Sequence, residues 1–194
     1  MDKLIRSNLM TLEQYADERE NFRARVIAHK NNRRVAIGPN VTLYFEDSLT
    51  MQYQIQEMLR LERIFEADKI QEELDAYNPL IPDGSNLKAT MMIEFPDVEE
   101  RRTELHRLVG IETALWLTVG DLSRVTPIAN EDLDRETVDK TSAVHFVRFE
   151  FSEQMIMSLR SGEQLFIGID HPAYGYNTQV STSTRSSLVH DLRD

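Results

Sequence analysis

The sequence predicts an α+β fold in one globular domain over residues 1–194, with a mainly antiparallel or mixed β-sheet, one long central helix and several shorter helices. Three observations carry that expectation. Apolar runs of period two come in adjacent pairs as well as between helical stretches, which disfavours a doubly wound parallel sheet. One helical pattern is much longer than the rest. No repeat or low-complexity linker divides the 194 residues, and 41% of them are hydrophobic, enough for one core.

Thr11-Leu12-Glu13-Gln14 reads as a capping box opening a first helix that runs to about residue 30. Leu12, Tyr15, Phe22, Val26 and Ile27 form its apolar face. Two β-branched and aromatic runs then flank Gly38-Pro39-Asn40, the pattern of a β-hairpin. Residues 49–77 contain neither Gly nor Pro and are rich in helix formers. Ser48 or Asp47 can cap this central helix, and Asn78-Pro79 ends it. At about 100° per residue, Met51, Ile55, Met58, Leu59, Phe65 and Ile70 share one arc of roughly 140°.

Pro82-Asp83-Gly84 is turn chemistry, and residues 88–95 read as a strand. Asp97 starts a short helix that would bury Val98, Leu105, Leu108 and Val109 and end at Gly110. Two further apolar runs flank Gly120-Asp121 as a second hairpin, with Pro127 marking an edge strand. Residues 130–140 are polar and acidic and read as a surface loop. Residues 142–151 alternate: Ala143, His145, Val147, Phe149 and Phe151 face one way, and Val144, Phe146, Arg148 and Glu150 the other. Ser152 and Gly162 bracket a helix carrying Met155, Ile156 and Leu159; residues 164–170 form another strand, and the tail ends as a helix through Leu188, Val189 and Leu192.

The net charge of −11 argues against a nucleic-acid partner, because phosphate contacts demand a basic field. Arg23, Arg25, Lys30, Arg33 and Arg34, around His29, are a local exception. They read as a solvated helix end, with an anionic ligand as the alternative. No apolar run approaches the ~18 residues of a membrane span, so no membrane insertion is expected. The start of the chain lacks an apolar signal core, so no secretory signal is expected. The absence of cysteine excludes disulfides, thiol nucleophiles and any cysteine-ligated cluster on this chain, and fits a cytoplasmic protein.

Common catalytic and nucleotide-binding motifs are absent. The remaining candidates are acidic and imidazole groups. Glu62 and Glu66 fall inside the apolar arc of the central helix, with Arg60 and Arg63 on its flank as candidate binding residues. A carboxylate on a core face is costly unless paired. Structural ion pairing explains the pattern most simply, and a metal or acid–base site is the sharper alternative. His145 lies on an otherwise apolar strand face, while Asp170 and His171 lie at a strand end. Should Glu62, Glu66, His145 and His171 converge, they could hold iron, manganese or zinc. His29, His106 and His190 read as surface residues, and Trp116 and the Met91-Met92 pair as packing residues.

The blocks at 52–65, 73–102, 139–151 and 168–174 resemble an uncharacterised bacterial family known only as a domain of unknown function. The resemblance implies no activity or catalytic residues. It does imply a context, since genes of that family stand beside those for an iron–sulfur oxidoreductase and a rubrerythrin-like protein. The expectation is therefore a non-catalytic accessory or interaction protein linked to a redox or peroxide-stress system. The alternative is a metal-binding protein or enzyme with a Glu/His site.

Overall fold

The structure, a computed structural model, describes residues 3–131 and 140–193. Most of the polar stretch read as a surface loop at 130–140 lies outside the described residues. In chain order the elements are α1 (Leu12–Asn31), β1 (Arg34–Ile37), β2 (Val41–Phe45), α2 (Ser48–Glu62), α3 (Ala67–Tyr77), β3 (Asn86–Ile93), α4 (Val98–Arg107), β4 (Leu115–Val119), β5 (Ile128–Ala129), β6 (Val144–Glu150), α5 (Glu153–Ser161), β7 (Leu165–His171), β8 (Tyr174–Gln179) and α6 (Thr182–Val189). The fold is α+β. Its strands form two sheets rather than one, ordered β1-β2-β3-β6-β5 and β4-β7-β8, and every pairing among the described strands is antiparallel.

Period-two alternation sets how the sheets meet. Leu43, Met91 and Phe149 point inward from the five-stranded sheet, and Leu117, Ile167 and Ile169 from the three-stranded one. Together they form a single core, closed by Leu159 of α5 and Leu188 of α6. Tyr174 ties the sheets together. Its hydroxyl donates to the Ile37 carbonyl at 2.7 Å and accepts from the Asn40 and Val41 amides at 2.9 and 3.1 Å. The first hairpin turn, with Gly38 at φ +69°, is thereby held against β8.

The helices form smaller clusters of their own. Tyr15, Phe22 and Val26 of α1 pack with Leu49 and Tyr53 of α2. Met51, Ile55 and Leu59 of α2 pack with Leu74 of α3 and Ile81. The Thr11 capping box, the Asp47 cap of α2, the Ser152 cap of α5 and the Gly162 stop all form as their residue chemistry dictates.

The single long central helix does not form. Helix α2 ends at Glu62, Arg63 adopts the left-handed conformation (φ 56°, ψ 45°), and the Ile64 amide bonds back to the Leu59 carbonyl at 2.9 Å. The break exchanges two apolar residues. In an unbroken helix Ile64 would lie opposite the apolar arc; here it packs with Leu59, Ile70 and Leu74, while Phe65 turns outward at 69% exposure. Burying Ile64, Ile70 and Leu74 in one cluster offsets the roughly 1 kcal/mol of placing a non-glycine residue in this region.

The second hairpin is also shorter than its pattern. Leu117 and Val125 form one bridge, with N–H···O distances of 2.9 and 2.7 Å, after which the chain crosses to the other sheet and β5 pairs with β6. Val98, expected in the core, is exposed. Strand β8, which follows Pro172, carries exposed polar residues at most positions and gives no alternation to read.

Candidate functional site

The sequence candidates do not gather. Glu62, at the last turn of α2, and Glu66, the N-terminal flank of α3, are both exposed; the break at Arg63 takes Glu66 off the arc of α2. Arg60 and Arg63 are exposed on the same segment. Asp170 is exposed and accepts from Arg124 at 2.5 Å, and that guanidinium stacks 3.8 Å from the Trp116 ring. His171 donates through Nε2 to the Val109 carbonyl at 3.0 Å and accepts from the Ala173 amide at 3.2 Å. Among the described residues, no three His, Asp or Glu side chains are grouped so as to hold a metal.

His145 is fully buried on β6 and sits in a polar chamber rather than an apolar one. Its Nδ1 lies 3.1–3.2 Å from the Asn130 amide group, and its Nε2 lies 2.9 Å from Thr141 Oγ1 and 3.0 Å from the Ser142 carbonyl. Buried Glu112, from the turn after α4, places Oε2 4.0 Å from Nε2, and that oxygen has no hydrogen-bond partner among the described residues. Glu112 lies in an irregular segment with no hydrophobic period, so no sequence signal marks it.

The basic stretch around His29 is not a solvated helix end throughout. Arg33 is 1% exposed and lies at the centre of a buried charge network. It donates to the carbonyls of Phe45 (3.0 Å) and Glu46 (3.1 Å) and to both carboxyl oxygens of Asp191. Asp47 caps α2, lies 3.4 Å from Arg33 Nε, and pairs with His29 at 2.5 Å. Burial raises the Asp47 pKa, but Arg33, the Thr50 amide and His29 outweigh it, so the group stays below its ordinary value. At Asp191 burial wins over Arg33, and the pKa rises to about 6.

A cleft of about 350 Å³ lies between the outer face of β3 and β6 and the segment formed by α3 and the turn Asn78–Leu80. Ala76, Pro79, Leu80 and Phe146 supply apolar wall; Glu46, Lys88 and Arg148 supply polar groups. Lys88 spans the cleft, donating to the carbonyls of Pro79 and Ile81 at 2.6 and 3.0 Å, and its partial burial lowers its pKa. Arg148 is clamped by Glu131 at 2.7 and 2.8 Å and by Glu150. Glu46 is 5% exposed; Oε1 accepts from Thr90 at 2.8 Å, while Oε2, itself buried, has no partner among the described residues. Concave apolar wall with a few convergent polar groups is the usual form of a ligand site.

Two antiparallel sheets sharing a core, with a helical layer that leaves a cleft over one outer face, define the architectural class of this protein. The chain belongs to the family described as "Protein of unknown function (DUF3501)", whose model matches residues 3–192. It is similar to a protein of unknown function from Burkholderia pseudomallei K96243, whose crystal structure was determined at 1.90 Å. The two are 51% identical, with a TM-score of 0.94 over 99% of this chain and 100% of that one. No curated protein matches the chain.

Proposed function

We propose that this protein is a non-catalytic accessory or interaction protein that works by binding, with the cleft beside Glu46 as its working site. The observation that carries this reading is how the polar groups of the cleft are engaged. Lys88 holds backbone carbonyls, and Arg148 holds two carboxylates. Ala76, Pro79, Leu80 and Phe146 make the rest of the wall largely apolar. Such a lining suits selective retention of a small molecule. The link to an iron–sulfur oxidoreductase or a rubrerythrin-like protein, in a redox or peroxide-stress setting, rests on the family resemblance alone.

Ligand-detected NMR with the uncharged aromatic 2-naphthol tests the cleft. Saturation transfer is expected with the native protein and is expected to be lost in Ala76→Trp, whose indole fills the space. Absent transfer, or equal transfer in both proteins, would overturn the reading. For the redox link, a native pull-down that retains neither iron–sulfur nor rubrerythrin-like partner would remove it.

The metal-dependent alternative retains one observation, the pairing of buried Glu112 with His145. Stoichiometric iron, manganese or zinc in the purified protein, lost in His145→Ala and in Glu112→Gln, would support it. Metal-free protein would end it.

A further inference from the structure

An antiparallel sheet ends in strands whose outward N–H and C=O groups lack a ladder partner, and chains blunt such edges with shortness, charge, proline or a cover. Among the described strands, three of the four edges are treated in that way. Strand β5 has two residues, β1 has four and carries Arg34, and Leu117 of β4 bonds to Val125 in both directions. The fourth edge, β8, has none of these devices. It runs for six residues, lies outermost in its sheet, and contains neither a charged residue nor a proline. Gly175, Tyr176, Asn177 and Gln179 are all exposed.

The register fixes which main-chain groups face outward. The Val180 amide donates to the Leu165 carbonyl at 2.8 Å, so at every second residue Thr178, Tyr176 and Tyr174 bond toward β7. The main-chain groups of Gly175, Asn177 and Gln179 therefore point away from it. Those of Gly175 and Asn177 have no partner among the described residues, and a Cβ at Gly175 would meet nothing within 4 Å.

A two-fold axis through Asn177 satisfies these groups together. Asn177 then exchanges both bonds with Asn177 of the partner subunit, and Gly175 does the same with Gln179 of the partner subunit. On the other face Tyr176 meets Thr178 of the partner subunit, an aromatic–β-branched pair of the kind that stabilises sheets. A chain of net charge −11 repels its own copy over much of its surface, yet this strand brings no charge to the axis. A foreign extended segment could use the same backbone groups, but the match of Tyr176 to Thr178 is one that the strand makes with itself.

We propose that two copies of this chain pair through β8, antiparallel about Asn177, joining their three-stranded sheets into one continuous sheet. The contact is separate from the cleft, which lies on the five-stranded sheet.

Sedimentation equilibrium of the full chain tests the pairing, with circular dichroism as the check on folding. A strand-edge contact falls at the small end of specific interfaces, so the dissociation constant is expected at about 1–100 µM. The native protein is expected to double in mass across that range. Asn177→Lys and Asn177→Asp each set like charges face to face across the axis, and each is expected to weaken association about fivefold. Mixed in equal amounts, the two variants are expected to associate again as a heterodimer. A native protein that stays monomeric up to ~300 µM would overturn the proposal. So would a dimer indifferent to both variants, or a mixture no more associated than its parts. Amide exchange at Asn177 in the native protein gives a reading that needs no variant. It is expected to slow as concentration rises, and a rate independent of concentration would overturn the pairing.

Discussion

The Arg33 guanidinium grips both carboxyl oxygens of Asp191, a residue 158 positions later in the chain. The same guanidinium holds the carbonyls of Phe45 and Glu46, so the end of the chain, the start of α2 and the floor of the cleft share one anchor. Removing one partner of a buried pair leaves the other charge uncompensated. Asp191→Ala is therefore expected to lower unfolding free energy by about 3–5 kcal/mol in urea titrations at pH 7. A loss below ~1 kcal/mol would contradict the anchor.

That anchor has a pH signature. Burial raises the Asp191 pKa from 3.8 to about 6, so between these values the native state holds a proton that the unfolded chain has released. The proton-linked part of its contribution is full below pH 3.8 and is lost as pH rises through 6, which leaves at pH 7 the pairing with Arg33 that Asp191→Ala removes. The shift corresponds to about 3 kcal/mol. The stability of the native protein relative to Asp191→Asn is expected to fall by that order between pH 4 and pH 7. A flat difference would show that Asp191 titrates normally.

Glu57 behaves in the opposite sense. The Arg19 fork, both distances 2.8 Å, and the Tyr15 hydroxyl, at 2.5 Å, overcome partial burial and bring its pKa down to about 2. Its contribution is present above pH 4.5 and is lost as pH falls toward 2. Because the pair is partly solvated, about 1–2 kcal/mol is expected after screening. Glu57→Gln should cost that much at pH 7 and nothing at pH 2, measured by thermal unfolding.

Arg63→Gly separates a broken helix from a continuous one. In a helix interior the substitution costs about 1 kcal/mol; at a left-handed helix stop glycine is favoured by a comparable amount. The variant is expected to be more stable by about 0.5–1 kcal/mol. A loss of stability would restore the unbroken helix, and with it the inward-facing Glu62 and Glu66.

Much of the fold was legible because its signals are local. Alternation in β6, the Thr11 capping box and the Gly162 stop each depend on a few neighbouring residues, and each formed. The break at Arg63 was not legible, since no glycine or proline marks it; it exists because Ile64 and Ile70 must both reach the cluster around Leu59 and Leu74. That break takes Glu66 off the arc of α2, and Glu62, in the last turn of α2, is exposed as well. His145 was rightly singled out as buried, but its neighbours Glu112, Asn130 and Thr141 come from irregular segments. Glu46 and Arg33 were hidden for the same reason: a buried charge at a strand end looks like a surface charge until its tertiary partners are known.

Gly168 offers a check on the packing between strands. A Cβ there would lie 2.3 Å from the Trp116 ring, which faces it across β4 and β7. Gly168→Ala is expected to cost about 1–3 kcal/mol and to shift the emission of the protein's one tryptophan to longer wavelength. Unchanged emission and stability would mean that Trp116 does not cover Gly168.

The central claim is that small molecules enter the space between Phe146 and α3 beside Glu46. Crystals soaked with a set of small aromatic amines, alcohols and acids test it most directly. The account calls for density in that cleft, lying against Phe146 and Leu80. Density confined to other grooves, with the cleft holding only water across the whole set, would contradict it.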